Sequence, residues 1–424
     1  MSNARPFRTP LAFRIVLAAI VLALLSAQLR AADQWPQFRG AGRDDISPET
    51  GLLKQWPAAG PPLAWKIKGL GAGYSGVSIA GGRIYTMGDK DDTSQVLALD
   101  EADGKILWTA KVGKAGAGGG YPGPRCTPTL DGDLLYAMNQ YGDLVCLQTA
   151  DGKEVWRKNM KSDFNGGMMS GWGYSESPLV DGPNLVCTPG GPGGTVVALN
   201  KKTGELVWRS KDVKDPAAYS SLLPVEFGGV RQYVQLTGQS VFAVAAADGR
   251  SLWYAPRKGQ TAVITTPVFK DGVVFVSSGY KVGCNAFQVT ASGDTFSAKE
   301  LYANTNMTNH HGGLVLIGEY VYGFSDTSRT LKCMKLNTGD VVWEDKCVGK
   351  GSLTCADGHL YVRSESKKGS VALVEATPAG YKETGRFDQP DRSDRSSWPH
   401  PVVCGGKLYL RDQDVLLCYN VKQP

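Results

Sequence analysis

Histidine is scarce in this chain: four in 424 residues, at positions 310, 311, 359 and 400. None belongs to an H-E-x-x-H motif, which removes the zincin type of metallohydrolase. His310 and His311 are adjacent, and neighbours on a strand point to opposite faces, so a shared metal is not expected of them. There is no C-x-x-C-H, so covalently held c-type haem is excluded. Lys and Arg form no basic run, and nucleic acid is a poor partner for such a surface. Beyond the first 30 or so residues there is no segment with helical apolar period. Gly71-Ala72-Gly73-Tyr74-Ser75-Gly76 fits G-x-G-x-x-G, but without a strand before it and a helix after it the match reads as a loop. The Gly-rich stretch from Gly113 to Gly120 lacks the Walker pattern.

What the chain does have is repetition. Small-x5-Gly-x3-Trp occurs five times with unchanged spacing: Ala98/Gly104/Trp108, Cys146/Gly152/Trp156, Ala198/Gly204/Trp208, Ala243/Gly249/Trp253 and Cys333/Gly339/Trp343. Ala286 and Ala372 mark two further copies that lack the Trp, and Cys418 marks an eighth small position near the end. A period of about 45 residues suits a four-stranded propeller blade. Each copy opens with an apolar run, a Gly-centred turn and a second β-rich run, such as Leu130–Gly132–Tyr136, so each blade reads as two hairpins. The repeat Gly follows Asp or Thr, where a tight turn needs positive φ. The Trp is a core anchor: at ~25 cal/mol/Å² over ~150–250 Å², its burial contributes roughly 4–6 kcal/mol gross. The small residue is expected to make room for a neighbouring blade's Trp.

The same arithmetic predicts closure. Cys418 stands six residues from the last residue, too few for a Trp strand of its own. Trp65, in Pro62-Leu63-Ala64-Trp65-Lys66, precedes the first full copy, and its strand is expected to complete the last blade, so that only short, protected edges remain. The expected fold is all-β: an eight-bladed β-propeller of four-stranded antiparallel blades over residues 62–424, closed by the N-terminal strand, with an extension over 33–61.

Arg5, Arg8 and Arg14 precede the apolar run Ile15–Leu25, and small residues follow at Ser26, Ala27, Ala31 and Ala32. This reads as a secretory signal peptide over residues 1–32, preferred to a membrane anchor because the run is short of the ~20 residues a span needs. No Cys lies near the cleavage region for a lipid anchor, and there is no twin-Arg pair. The leader's four Arg account for most of the +6 net charge, so the mature protein is almost neutral. It is expected in the periplasm or outside the cell, as a monomer without a transmembrane domain. Export permits disulfides, and Cys333–Cys347 or Cys347–Cys355 are the candidate pairs among nine Cys. Cys146, Cys333 and Cys418 instead occupy the repeat's small position and read as core residues.

Candidate ligand-binding residues lie on the segments that link each Trp strand to the next blade. These share one face of the ring and carry Tyr74; Tyr121 and Arg125; Trp172, Tyr174 and Glu176; Tyr219; Asn309, His310 and His311; and Arg395, Trp398 and His400. Polar groups converging over an aromatic-lined cavity form the default binding site. No catalytic residue is assigned.

Ala98-x-Asp100-x-x-Asp103-Gly104-Lys105-x-x-Trp108 and Ala198-x-Asn200-x-x-Thr203-Gly204-Glu205-x-x-Trp208 resemble the tryptophan-docking repeat of pyrroloquinoline-quinone (PQQ) repeat propellers, the superfamily of quinoprotein alcohol dehydrogenases and BamB-type outer-membrane assembly factors. Gln34-Trp35-Pro36-Gln37-Phe38-Arg39-Gly40 resembles the front of many exported PQQ-like propellers. For the dehydrogenases the resemblance implies PQQ stacked between a Trp and a vicinal disulfide, with Ca²⁺ on Glu, Asn and Asp. This chain has no Cys-Cys pair, and it lacks the haem domain of the polyvinyl-alcohol enzymes. Glu176 and Asn309 are the candidate Ca²⁺ ligands, and Trp172 or Trp398 the candidate stacking face.

Fold does not decide function, and two readings stand. The first is a cell-envelope binding scaffold that takes a protein, peptide or glycan on the loop-bearing channel face, with no cofactor assigned. The alternative is a PQQ- and Ca²⁺-dependent quinoprotein dehydrogenase acting on an alcohol or sugar.

Overall fold

The computed structural model describes residues 34–118 and 120–424, so the expected signal peptide lies outside the described residues. Those residues form eight four-stranded antiparallel blades, and no helix occurs among them. No helix among them is therefore long and apolar enough to cross a membrane. Blade 1 runs through Ser78–Ala80, Arg83–Lys90, Thr93–Asp100 and Ile106–Lys114 from the channel outward. The next six blades repeat this order. Blade 8 takes three strands from the C-terminal end, Val402–Cys404, Lys407–Asp412 and Val415–Asn420, and its fourth, Leu63–Lys68, from the N-terminal side. Trp65 stands opposite Cys418 across that pair, the register expected from the repeat.

Each repeat Trp faces its own blade's small residue across the strands. Ala98 faces Trp108, Cys146 faces Trp156, Ala198 faces Trp208, Ala243 faces Trp253 and Cys333 faces Trp343. A register shift follows at once in every case. The group that makes room for a neighbour's Trp is instead the repeat Gly. A Cβ on Gly152 would lie 2.7 Å from Trp108, one on Gly204 2.8 Å from Trp156, and one on Gly249 2.4 Å from Trp208. The Trp108 indole N–H donates to Thr149 O at 3.2 Å, that of Trp156 to Lys201 O at 3.0 Å, and that of Trp208 to Ala246 O at 3.0 Å. These three Trp thus dock on the turn of the blade after their own, and the space expected at the small residue belongs to that turn.

The other two copies depart from this scheme because their neighbours lack the Gly turn or the Trp. Trp253 is buried, but its indole N–H turns back to Gln232 Oε1 of its own blade at 3.2 Å. The blade that follows it has a lengthened second hairpin, where Tyr302 stands opposite Ala286 with its hydroxyl on Leu336 O. Gly339 therefore receives that Tyr rather than a Trp, and a Cβ there would lie 2.5 Å from the Tyr302 ring. Trp343 is only half-buried; its indole N–H donates to Thr377 O of blade 7 at 2.9 Å, and its ring meets Tyr381 edge-on at 5.9 Å. A Cβ on Gly380 in that turn would meet nothing within 4 Å, so no Gly makes room for Trp343. In blade 7 the position opposite Ala372 is Arg386.

All nine Cys are free thiols, eight of them buried. Cys333 and Cys355 share one apolar cluster, with Cys347 packed against it, and no disulfide forms. Cys333 and Cys355 are buried on strands and Cys347 is partly buried in the turn after Val341–Asp345, and the expected pairs do not occur.

Candidate functional site

The N-terminal extension builds the floor of the site. Trp35 bridges to Ile79 of blade 1, and Leu130 of blade 2 donates to Pro36 O. Arg39 donates to Leu314 O of blade 6 at 2.7 Å. Arg43 donates to Ser177 O and Pro178 O ahead of blade 3. Ile46–Ser47 adds a parallel strand to the inner edge of blade 7, and Asp45 meets His400 ahead of blade 8. One short segment therefore ties together the inner strands of six blades and plugs the channel.

Its charges are buried and compensated. Asp45 is fully buried and lies 3.1 Å from the Arg39 guanidinium and 3.0 Å from His400 Nδ1. His400 Nε2 lies 2.8 Å from the carbonyl of His311. Burial lowers the Arg43 guanidinium to about 10, against the attraction of Glu176.

Above this floor lies a cavity of about 160 Å³. At ~10–15 Å³ for each water-sized occupant, it has room for a ring-sized group and not for a folded chain. Trp35, Phe38, Arg39 and Asp45 form its base. Tyr74, Tyr121, Arg125, Trp172, Tyr219, His310, His311, Trp398 and His400 form much of its wall, so seven channel-face residues of the ligand-binding expectation, with Tyr219 and His311, do meet at one place. Tyr74 stacks on Trp398 at 4.2 Å, and Tyr121 lies 5.0 Å from Trp398 and 5.2 Å from Trp172. Arg125 donates to Trp172 O and Tyr121 O and so fixes both aromatic segments. Ser170 and Tyr219 share a hydrogen bond. In the buried part of the lining a relay joins blades 1 to 4: Gly76 N–H to Thr127 Oγ1, Thr127 N–H to Ser177 Oγ and Ser177 N–H to Ser221 Oγ, at 2.9–3.1 Å. This relay holds the wall rigid. The Gly and Trp of the repeat take no part in the cavity, in keeping with their structural role.

Four expected residues fall elsewhere. Tyr174 is buried in the core cluster of blades 1 to 3, and its hydroxyl donates to Pro189 O. Glu176 is buried, and its two oxygens accept from Thr188 N–H and Oγ1–H at 2.7 and 2.9 Å. Burial raises its carboxyl to about 7, against those bonds and the Arg43 charge. Asn309 is buried in blade 6 and donates to Gly313 O and Phe324 O. Arg395 lines a second concavity beside the first. From Tyr174 to Ser177 the segment alternates, with Tyr174 and Glu176 turned into the blade and Ser175 and Ser177 facing the cavity; Trp172, before that stretch, also faces the cavity.

Besides further residues of the same linking segments, such as Thr261, Ala262 and Ile264, the residues not anticipated come from two sources. One is the plug, whose Arg39 and Asp45 gave a signal in principle, as charges inside an aromatic segment. The other is the set of turns between second and third strands, which open on the same face. Tyr280 stands on such a turn in blade 5, at φ 55° and half exposed. Burial, with Lys350 adding to it, lowers His310 to about 4, and burial with His310 lowers His311 well below the ordinary imidazole value.

PQQ with Ca²⁺ is the group implied by the resemblance, and these residues do not fit it. Ca²⁺ takes roughly six to eight oxygen ligands. Glu176 is committed to Thr188 and Asn309 sits three blades away. Asp45 is committed to Arg39 and His400. Among the described residues no group of three or more His, Cys, Asp and Glu is placed to hold a metal.

Comparison with known proteins agrees on the fold. The family model described as outer membrane protein assembly factor BamB matches residues 92–345. Tetrathionate hydrolase of Acidithiobacillus ferrooxidans is 20% identical over 251 residues, 53% of this chain and 48% of that protein. The matches span about half or less of the curated relatives' lengths. The crystal structure of BamB from Moraxella catarrhalis superposes with a TM-score of 0.61 at 14% identity, covering 88% of this chain and 99% of that one. The quinohemoprotein alcohol dehydrogenase ADHIIG from Pseudomonas putida HK5 gives 0.53 at 12% identity, covering 95% and 82%. At such identities the structural likeness concerns the fold alone.

Proposed function

This chain belongs to the family of the outer membrane protein assembly factor BamB, built on PQQ-type repeats, and on that premise we propose that it is a cell-envelope binding scaffold. Its channel face takes up a ring-bearing group of a protein, peptide or glycan. The observation that carries the reading is the aromatic cavity on a floor of internally compensated charge. Such a floor leaves no bare charge for a quinone or a metal to neutralise, while the stacked Tyr and Trp rings supply rigid, largely apolar contact surface. The ring of blades acts as a frame and performs no chemistry.

The test is a tryptophan-fluorescence titration of the purified protein with three probes: a peptide containing Phe and Trp, a muropeptide and a neutral oligosaccharide. A saturable change with at least one probe, lost in Trp172→Ala, is expected. No saturable change with any probe sinks the scaffold reading. Saturable, Ca²⁺-dependent, one-to-one binding of PQQ would replace it with the quinoprotein reading.

A further inference from the structure

Beside the aromatic cavity lies a second concavity of about 640 Å³, and the two share Tyr280 and His310. Its wall combines the turns at Asp326–Arg329 of blade 6 and Glu365–Lys367 of blade 7 with Lys350 and the Asp394–Ser396 segment ahead of blade 8. The charges there are unevenly matched. Lys350 bridges Asp326 at 3.1 Å and Glu365 at 3.2 Å, and the Trp398 indole N–H also donates to Glu365 at 3.1 Å. Both inner carboxylates are thereby used. Arg329, Lys367 and Arg395 are exposed, and among the described residues none of them is ion-paired. Asp394 is the third carboxylate of the concavity, which therefore holds four cations and three carboxylates and a net charge of +1.

A second observation marks the junction. His311 is 7% exposed and lines the aromatic cavity, and its buried Nε2 has no hydrogen-bond partner. Its Nδ1 lies 3.4 Å from His310 Nδ1 and 3.7 Å from Glu365. With the proton on Nδ1, Nε2 is an acceptor left without a donor. A buried polar atom left without a partner is costly, and a ligand N–H meets that need.

Resting on the scaffold reading of the cavity, we propose that its occupant is an N-acylated aromatic α-amino acid. The ring sits among Tyr121, Trp172 and Trp398, the amide N–H meets His311 Nε2, and the carboxylate enters the cleft of Arg329, Lys367 and Arg395. Ring, amide and carboxylate follow one another on that ligand as cavity, imidazole and cationic cleft do on the protein. The same chemistry is presented by a free acyl amino acid and by the aromatic C-terminal residue of a peptide. Charge-assisted contact to the carboxylate adds affinity that the neutral amide form lacks.

The experiment compares N-acetyl-phenylalanine, a flexible pentapeptide ending in Phe with a free carboxylate, and the same pentapeptide ending in Phe-amide. Binding to the full protein is followed by calorimetry. The free acid form is expected to bind roughly tenfold more tightly than the amide. That ratio is expected to fall towards one in the double variant Lys367→Gln/Arg395→Gln, whose side chains are exposed and spare the fold. Tighter binding of the pentapeptide than of N-acetyl-phenylalanine identifies a chain terminus as the source, and equal binding identifies the free acid. Acid and amide binding equally well would overturn the carboxylate assignment while leaving aromatic capture standing. No binding of any of the three would overturn the inference, and failure of the fluorescence probes as well would overturn the scaffold reading.

Discussion

Glu176→Gln separates a structural carboxylate from a metal ligand, and its effect can be worked from its surroundings. Burial raises the Glu176 carboxyl from 4.5 to about 7. At about 1.4 kcal/mol per pK unit, that is on the order of 3 kcal/mol of linkage. The sign follows from proton counts. Between pH 4.5 and 7 the folded state holds more of this proton than the unfolded state, so its contribution to stability falls as pH rises and levels off above about 7. His310 and His311, held neutral by burial, act in the opposite sense, since folding must keep them unprotonated as pH falls. The difference between wild type and variant cancels them. Gln keeps one of the two Thr188 bonds and loses the other, a pH-independent loss of about 1 kcal/mol. Urea unfolding should therefore find Glu176→Gln slightly less stable near pH 4.5 and about 2 kcal/mol more stable at pH 8. Added Ca²⁺ should move neither protein. A difference independent of pH, or a Ca²⁺-dependent gain in wild type lost in the variant, would refute the reasoning.

Other perturbations test the frame and the floor. Gly152→Ala places a Cβ 2.7 Å from Trp108 at φ 76° and should lower the unfolding free energy by about 1–3 kcal/mol, read from the urea midpoint. Asp45→Ala leaves the Arg39 guanidinium buried without its carboxylate. It should cost about 3–5 kcal/mol, and limited proteolysis should then cut near residues 34–47, which stay protected in wild type. Trp65→Ala removes the ring under Gly104 at the closure. A loss on the order of 3 kcal/mol is expected by calorimetric melting, and an unchanged melt would argue that blade 8 closes without this strand.

The ring was legible because a Gly that must turn and a Trp that must dock recur at fixed spacing, and each depends only on its neighbours. Even the closing strand followed from counting. Tyr302 escaped because the blade 5 hairpin is lengthened, which moves the docking ring from ten to sixteen residues past Ala286. The same lengthening leaves Trp253 bonded within its own blade and gives Gly339 a Tyr to accommodate, although both sit in copies whose spacing is unchanged. The site was legible by face and not by side chain. Trp172, Trp398 and His400 reach the cavity, whereas Tyr174 and Glu176 turn inward, and alternation on irregular segments is set by contacts that one sequence does not display. The plug was hidden for a different reason. Arg39, Arg43 and Asp45 find partners in blades 3, 6 and 8, and those partners lie far away along the chain. Buried charge of this kind becomes readable only once the ring has been closed around it.

The most direct measurement is a calorimetric titration of the purified protein with PQQ in the presence and absence of Ca²⁺, paired with its melting temperature. A channel face built for recognition, on a floor whose charges are already matched, predicts no saturable heat at high micromolar cofactor and no thermal shift. One-to-one, Ca²⁺-dependent binding with stabilisation would contradict it.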